Sequence, residues 1–249
     1  VVPVPVRNGS SVDDLLRAMG RTAFQGKNLA VACDIWEQML KAKSTIFLGL
    51  AGAMVPAGMR ALIVHMINHR LIDCLVSTGA NLFHDCHEIL GRPHWQGTPD
   101  VDDTELFREG IDRIYDVFAL ENEFRKTDDF IEKWVVQLDE GRPYSTREFL
   151  YFLGERLDQE SREEGILTAA YRQKIPIYCP AIGDSSIGIA IATCRHKGIS
   201  RLNFDLIQDV LETAEIVDKA SETGVIYIGG GTPKNFIQQA EVTSTFINQ

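Results

Sequence analysis

Gly224-Val225-Ile226-Tyr227-Ile228-Gly229-Gly230-Gly231-Thr232-Pro233-Lys234-Asn235-Phe236 is the stretch from which the fold is read. Val225 to Ile228 is a short β-branched and aromatic run, the pattern of a strand buried in a parallel sheet. Gly229, Gly230 and Gly231 follow at once, and Pro233 suits the first turn of a helix. Glycines at the carboxyl end of a strand permit positive φ and let a ligand approach the main chain. Free N–H groups at the start of the next helix favour an anion such as a pyrophosphate. The spacing is not G-x-G-x-x-G, so on this stretch alone a nucleotide site and a plain tight turn both stay open.

Working outward, other strands end in the same way. Thr45-Ile46-Phe47-Leu48-Gly49-Leu50 reads as the first strand and runs into Ala51-Gly52-Ala53-Met54-Val55-Pro56-Ala57-Gly58, which enters a helix to about Arg70. That small-residue turn either admits a ligand or allows close helix–sheet packing. Residues 72–77 form the next strand, ending in Thr78-Gly79-Ala80-Asn81. Residues 175–179 form another, emptying into Pro180-Ala181-Ile182-Gly183-Asp184-Ser185-Ser186-Ile187-Gly188. Asp184 there suits ribose hydroxyls, the N-cap of the next helix, or both. Ligands of open parallel sheets bind at the carboxyl ends of the strands, so one site lined by all these turns is expected.

Phe83-His84-Asp85-Cys86-His87-Glu88 is the densest group of metal-capable side chains. His84 and His87 at i, i+3 could share a helix face, but H-E-x-x-H is absent. A polar helix start facing the crevice, with His84 nearest the ligand, is the reading preferred over a zinc-dependent hydrolase. His65, His69, His94 and His196 are read as structural or solvent-facing.

The remaining pattern is helical. Helices are expected over residues 12–24, 28–43, 104–119, 121–139, 163–173 and 205–220, with a loop over 91–103 and a short strand near 202–204. Glu121, Glu123, Asp128 and Asp129 read as a solvated helix face. Ser145-Thr146-Arg147-Glu148 is a capping box that starts a helix near Thr146 running to about Glu160. With no linker, repeat or low-complexity tract, one domain over residues 1–249 is expected.

The 249 residues are 45% hydrophobic and 24% charged, an ordinary globular balance. A net charge of −10 argues against non-specific nucleic-acid binding and suits a cationic substrate. No apolar run is long enough to span a membrane, and the proline-broken Val1-Val2-Pro3-Val4-Pro5-Val6 is no signal segment. Five cysteines without a C-x-x-C pair point to reduced thiols and a cytoplasmic protein. The chain begins with Val rather than Met, so a longer gene product is expected.

Taken together, residues 45–49, 75–81, 180–188 and 228–236 resemble the deoxyhypusine synthase family, in its bacterial deoxyhypusine synthase-like branch. The pieces arise in the family's order and span nearly the whole chain. The resemblance implies an α/β, Rossmann-like open parallel sheet with helices on both faces, binding NAD and assembled as a homotetramer. It implies a chemistry in which NAD takes hydride from a carbon beside an amine of spermidine. An enzyme lysine then captures the aminobutyl group and passes it to an acceptor amine. By position, Gly52, Ala53, Pro56, Thr78, Gly79, Asp184, Gly229, Gly230 and Gly231 match cofactor-binding places. His84, Ile189 and Asn235 match substrate-binding places, where the eukaryotic enzymes carry glutamate, aspartate and histidine. Isoleucine cannot pair with an ammonium, so another carboxylate or a different amine is implied. Lys234 belongs to the glycine turn and is not the nucleophile. The nucleophilic lysine is absent from these residues and is expected in a segment beyond Gln249.

The function expected is therefore an NAD-dependent aminobutyl transferase acting on a polyamine, with a protein lysine or a small amine as acceptor. The alternatives are a homospermidine synthase-like enzyme using putrescine and an inactive family member that only binds NAD.

Overall fold

The structure, a computed structural model, describes residues 1–5, 8–138 and 141–249. Two compact units result, Val1–Ser44 and Thr45–Gln249. The smaller holds α1 (Val12–Met19) and α2 (Phe24–Ala42). Ser11 caps α1 in a reciprocal box with Asp14, a pairing that stabilises a helix start by about 1 kcal/mol. The first helix thus stops before Phe24, which instead opens the second.

The larger unit begins with β1 (Thr45–Leu50), one wide turn over Val55–Met59, α3 (Arg60–Asn68), β2 (Cys74–Ser77) and α4 (Gly79–Ile89). There follow β3 (Trp95–Gln96), α5 (Asp103–Glu109), β4 (Ile111–Ile114), β5 (Val117–Leu120) and α6 (Glu121–Val135). Next come α7 (Thr146–Glu160), α8 (Ile166–Gln173), β6 (Ile177–Tyr178), α9 (Ser186–His196), α10 (Leu206–Lys219), β7 (Thr223–Ile228) and α11 (Gly231–Ile247).

The main sheet is parallel throughout, in the order β6-β2-β1-β7. Side chains alternate across it. Phe47, Cys74, Val76 and Tyr178 pack with Ile237 of α11 and with Ile216 and Val217 of α10 on one face. The alternate residues Ile46, Leu48, Leu50 and Leu75 are equally buried and point to the opposite face. Gly49 lies on the α11 side, where a Cβ would come within 2.9 Å of Tyr227. Because the chain steps from β1 to β2 and β6, then returns to β7 beyond β1, the order reverses between β1 and β7. Such a reversal opens a crevice at the carboxyl ends.

The sequence pattern misplaces one region. The helix expected over 104–119 is α5 followed by a hairpin, and the expected 91–103 loop contains β3, giving a small antiparallel sheet of order β3-β5-β4. Gly110, at φ 69°, ends α5, and Ile111 and Val117 supply β-branched residues on either side of the Tyr115-Asp116 turn. The strand expected near 202–204 reduces to a single bridge between Phe204 and Tyr144. α8 starts at Ile166 rather than 163 because the buried Asp85 carboxylate accepts the N–H groups of Ile166 and Leu167, each at 2.8 Å. α6 ends at Val135; the expected end at Asp139 lies outside the described residues, as does Val6 of the proline-rich start. The Ser145 capping box and the Thr146–Glu160 helix agree with the sequence reading.

Candidate active site

All four parallel strands deliver their carboxyl ends to one edge, and a series of contacts joins the turns there. Gly229, at φ 81°, lies against the first turn: a Cβ on it would stand 2.8 Å from the Ala51 carbonyl oxygen. Ala51 N–H in turn donates to the Ile228 carbonyl at 2.9 Å. Gly52 is tied to α4 through Asn81, a fully buried side chain. Asn81 Nδ2 donates to the Gly52 carbonyl at 2.7 Å and to Thr78 Oγ1 at 3.0 Å, and its Oδ1 accepts from Val55 N–H at 3.1 Å. Gly79 packs on the last turn, where a Cβ would meet Ser185 Oγ at 2.4 Å. The turns at Gly52, Thr78, Asp184 and Gly229 are thus contiguous.

Two helices begin at this edge without a side-chain cap, α4 after Thr78 and α11 after Gly230. Their first N–H groups are available to an anion. Around Gly230, Gly231 and Gly183 a Cβ would meet nothing within 4 Å, so the backbone there is bare to an approaching ligand. Ala53 is exposed beside Gly52, while Pro56 is buried in the wide turn. Of the two roles open to Asp184, the cap falls to its neighbour: Ser185 Oγ accepts from Gly188 N–H at 3.4 Å. Asp184 stays exposed.

Beside this edge is a cleft of about 570 Å³ between α4, β4, α6 and the turn before α9. It gathers His84, Asp184 and Ile189. Asn235, exposed in the first turns of α11, does not line it. The solvated role expected for Glu121 and Asp128 is corrected here: with Asp112 they form the cleft's acidic wall. Among the described residues, Asp112 Oδ2 and Asp128 Oδ1 are buried without a hydrogen-bond partner. Burial, reinforced by Glu121, pushes Asp112 up to about 6; burial, then Glu132 and Asp129, does the same for Asp128. Arg125 is the cation of the wall, and it is paired with Glu121 at 2.6 Å. A site so furnished stabilises added positive charge.

His84 and His87 part ways on α4. His84 faces the cleft and burial, aided by His94, holds it down to about 3, a neutral ring. His87 is fully buried, its Nδ1 3.1 Å from Thr127 Oγ1. Among the described residues no group of three histidine, cysteine or acidic side chains is placed to hold a metal ion. The sequence alone assigns no site role to Asn81, Ser185, Asp112 or His94. For Asp112 a signal existed in the Ile-Asp-Arg-Ile alternation before a two-residue turn; for the others only the fold supplies the neighbours.

Sheet, crevice and bare helix starts define an α/β protein of the doubly wound parallel class. The family model for deoxyhypusine synthase matches residues 14–248, and the chain belongs to that family. It is 51% identical over 248 residues to "Probable deoxyhypusine synthase 2" of Methanosarcina acetivorans, covering 99% of this chain and 71% of the relative. It is 37% identical over 238 residues to the "Deoxyhypusine synthase-like protein" of Chlorobaculum tepidum, covering 94% and 68%. A crystal structure of an Entamoeba histolytica protein described as a deoxyhypusine synthase shares the fold, with a TM-score of 0.70 and 22% identity over 90% of this chain and 77% of that one. Among the described residues no helix is long and apolar enough to cross a membrane.

Proposed function

We propose that the chain is the NAD-binding part of an aminobutyl transferase that takes a polyamine, in the family's sense, as donor. The observation that carries the reading is the acidic wall with two buried, unpartnered carboxylate oxygens beside the glycine-lined edge. The site residues fit a dinucleotide: the uncapped starts of α4 and α11 suit its pyrophosphate, and Asp184 suits a ribose. When bound, NAD would supply the hydride acceptor. The chain's own residues do the rest. Asp112, Glu121 and Asp128 attract the ammonium groups and make up for Ile189, which stands 62% exposed at the cleft without a charge to offer. Arg125, already paired, leaves that field negative. His84, neutral, faces the same space.

Ile189 also favours a second reading, in which a small amine such as putrescine is the acceptor rather than a protein lysine. The proposal includes a homotetramer and a cytoplasmic setting. The chain is titrated with NAD and with spermidine by calorimetry. The intact protein is then incubated with both, plus putrescine or a lysine-bearing protein, and products are read by mass spectrometry. Homospermidine or a modified lysine is the expected product. No binding of either ligand, or no transfer to either acceptor, overturns the reading.

A further inference from the structure

Two carboxylates on successive turns of α10 hold two neighbouring residues of α7 and, through them or directly, two of β6 and its end. Asp209 Oδ1 accepts the Thr146 N–H at 2.9 Å, and its Oδ2 accepts the Thr146 hydroxyl at 2.7 Å. Thr146 Oγ1 in turn accepts the Cys179 N–H at 2.9 Å. One turn further along α10, Glu212 Oε1 accepts from Arg147 Nη2 at 3.1 Å, and its Oε2 accepts the Tyr178 hydroxyl at 3.2 Å. Backbone pairing brings the two helices together. Tyr144 N–H donates to the Asn203 carbonyl and Asp205 N–H to the Tyr144 carbonyl, so α7 and α10 start side by side.

Asp209, Thr146 and Cys179 are fully buried, and the direction of each bond is fixed. Thr146 Oγ1 takes the Cys179 N–H on a lone pair and has one hydrogen to give. Turning the hydroxyl round would strand that hydrogen in the interior, a costly arrangement. Asp209 thus accepts at both oxygens, as a carboxylate does; burial raises it to about 6, which leaves it ionised near neutral pH. Cys179 is where β6 empties into the turn bearing Asp184. Its carbonyl accepts the Ile182 N–H at 3.1 Å, and the Ala181 carbonyl accepts the Asp184 N–H at 2.9 Å. The Ser185 hydroxyl donates to the Ile182 carbonyl at 2.7 Å. Bonded within itself at three points, the turn follows Cys179 as one piece.

We propose that Asp209 is a positioning residue: through Thr146 it fixes Cys179, and with it the turn that carries Asp184 to the dinucleotide. The inference rests on the dinucleotide reading of the glycine-lined edge. Asp209 does not line the cleft and acts by removing freedom from the turn. Asp184 then meets a ribose without first having to be ordered, which tightens binding. Glu212 anchors β6 separately through Tyr178, so losing the Thr146 hydroxyl frees the turn while the strand stays in place.

Three variants of the full chain test the proposal. Thr146→Val keeps the shape and removes the hydroxyl, Thr146→Ser keeps the hydroxyl, and Asp209→Asn sets an amide N–H₂ against one of the two donors. Hydrogen exchange of the free protein, read by mass spectrometry, reports on the turn. Calorimetric titration with NAD, well below each melting temperature, reports on the site. In Thr146→Val and Asp209→Asn the amides of residues 179–184 are expected to exchange about tenfold faster, with β1 unchanged, and the NAD Kd is expected to rise about tenfold. Thr146→Ser is expected to match the wild type in both. A role in stability alone would lower the melting temperature and leave turn exchange and NAD affinity of the folded protein as they were. That outcome overturns the proposal, as does a Thr146→Ser that behaves like Thr146→Val. The two damaging variants strike opposite ends of one bond, so either one, folded, decides the matter. Failure of NAD to bind the wild type overturns the dinucleotide reading instead, while exchange, read without ligand, still shows whether Asp209 holds the turn.

Discussion

Gly79 and Ser185 lie so close that a Cβ on the glycine would stand 2.6 Å from the serine Cβ and 2.4 Å from its hydroxyl. The contact brings the turn after β2 against the turn after β6, two segments more than a hundred residues apart in sequence, and holds α4 and α9 on either side of the cleft. Gly79→Ala is expected to cost about 1–3 kcal/mol, the usual range for overpacking a tight contact. Urea unfolding measures it. Adding Ser185→Gly relieves the clash, so the double variant is expected to lose less than the two single losses added together.

Gly229 is constrained twice, by a φ of 81° and by the Ala51 carbonyl 2.8 Å from where a Cβ would lie. Left-handed backbone and overpacking together predict a loss of about 2–4 kcal/mol for Gly229→Ala. NAD titration of the folded fraction is expected to show weaker binding as well. Unchanged stability would mean that the β1 and β7 turns do not meet as described.

Asn81 is the knot of the glycine-lined edge, bonding Gly52, Val55 and Thr78 at once. Asn81→Leu keeps the volume and leaves the Val55 N–H and Gly52 carbonyl without their partner. A cost of about 2–4 kcal/mol is expected from the lost bonds and stranded backbone groups. Thermal melts with and without NAD separate the two effects: the stabilisation NAD gives is expected to shrink beyond the loss in the free protein.

Asp112 and Asp128, both pushed up to about 6, give the acidic wall a pH dependence. An acid whose folded pKa exceeds its unfolded value binds protons more tightly when folded. These two carboxyls therefore add stability as pH falls through about 6 toward 3.8, and that contribution is lost as pH rises. Amine binding runs the other way, because ammonium needs them ionised. Spermidine affinity is expected to fall below pH of about 6 and to be accompanied there by proton release, read by calorimetry in buffers of different ionisation heat. Asp112→Asn or Asp128→Asn is expected to weaken spermidine by about tenfold and to flatten the pH dependence. Equal affinity in both variants would remove the amine from this wall.

The sequence by itself determined the sheet and the places where ligands could approach it. The run from Val225 to Gly231 shows strand, glycine turn and helix start in order, and that local grammar recurs after residues 50, 77 and 179 because each step is set by backbone sterics. The Ser145 capping box is equally local and equally legible. What only the tertiary structure decided is which polar side chains meet. Asp112 hid in a region whose charges mimic a helix face, and pairing with β5 was needed to turn it toward Asp128 and Glu121. His94, ten residues from His84, becomes its partner only because the chain turns back between α4 and β3. Local periodicity is written in neighbouring residues, whereas the burial that leaves a carboxylate unpartnered or aligns two rings depends on elements far apart in the chain.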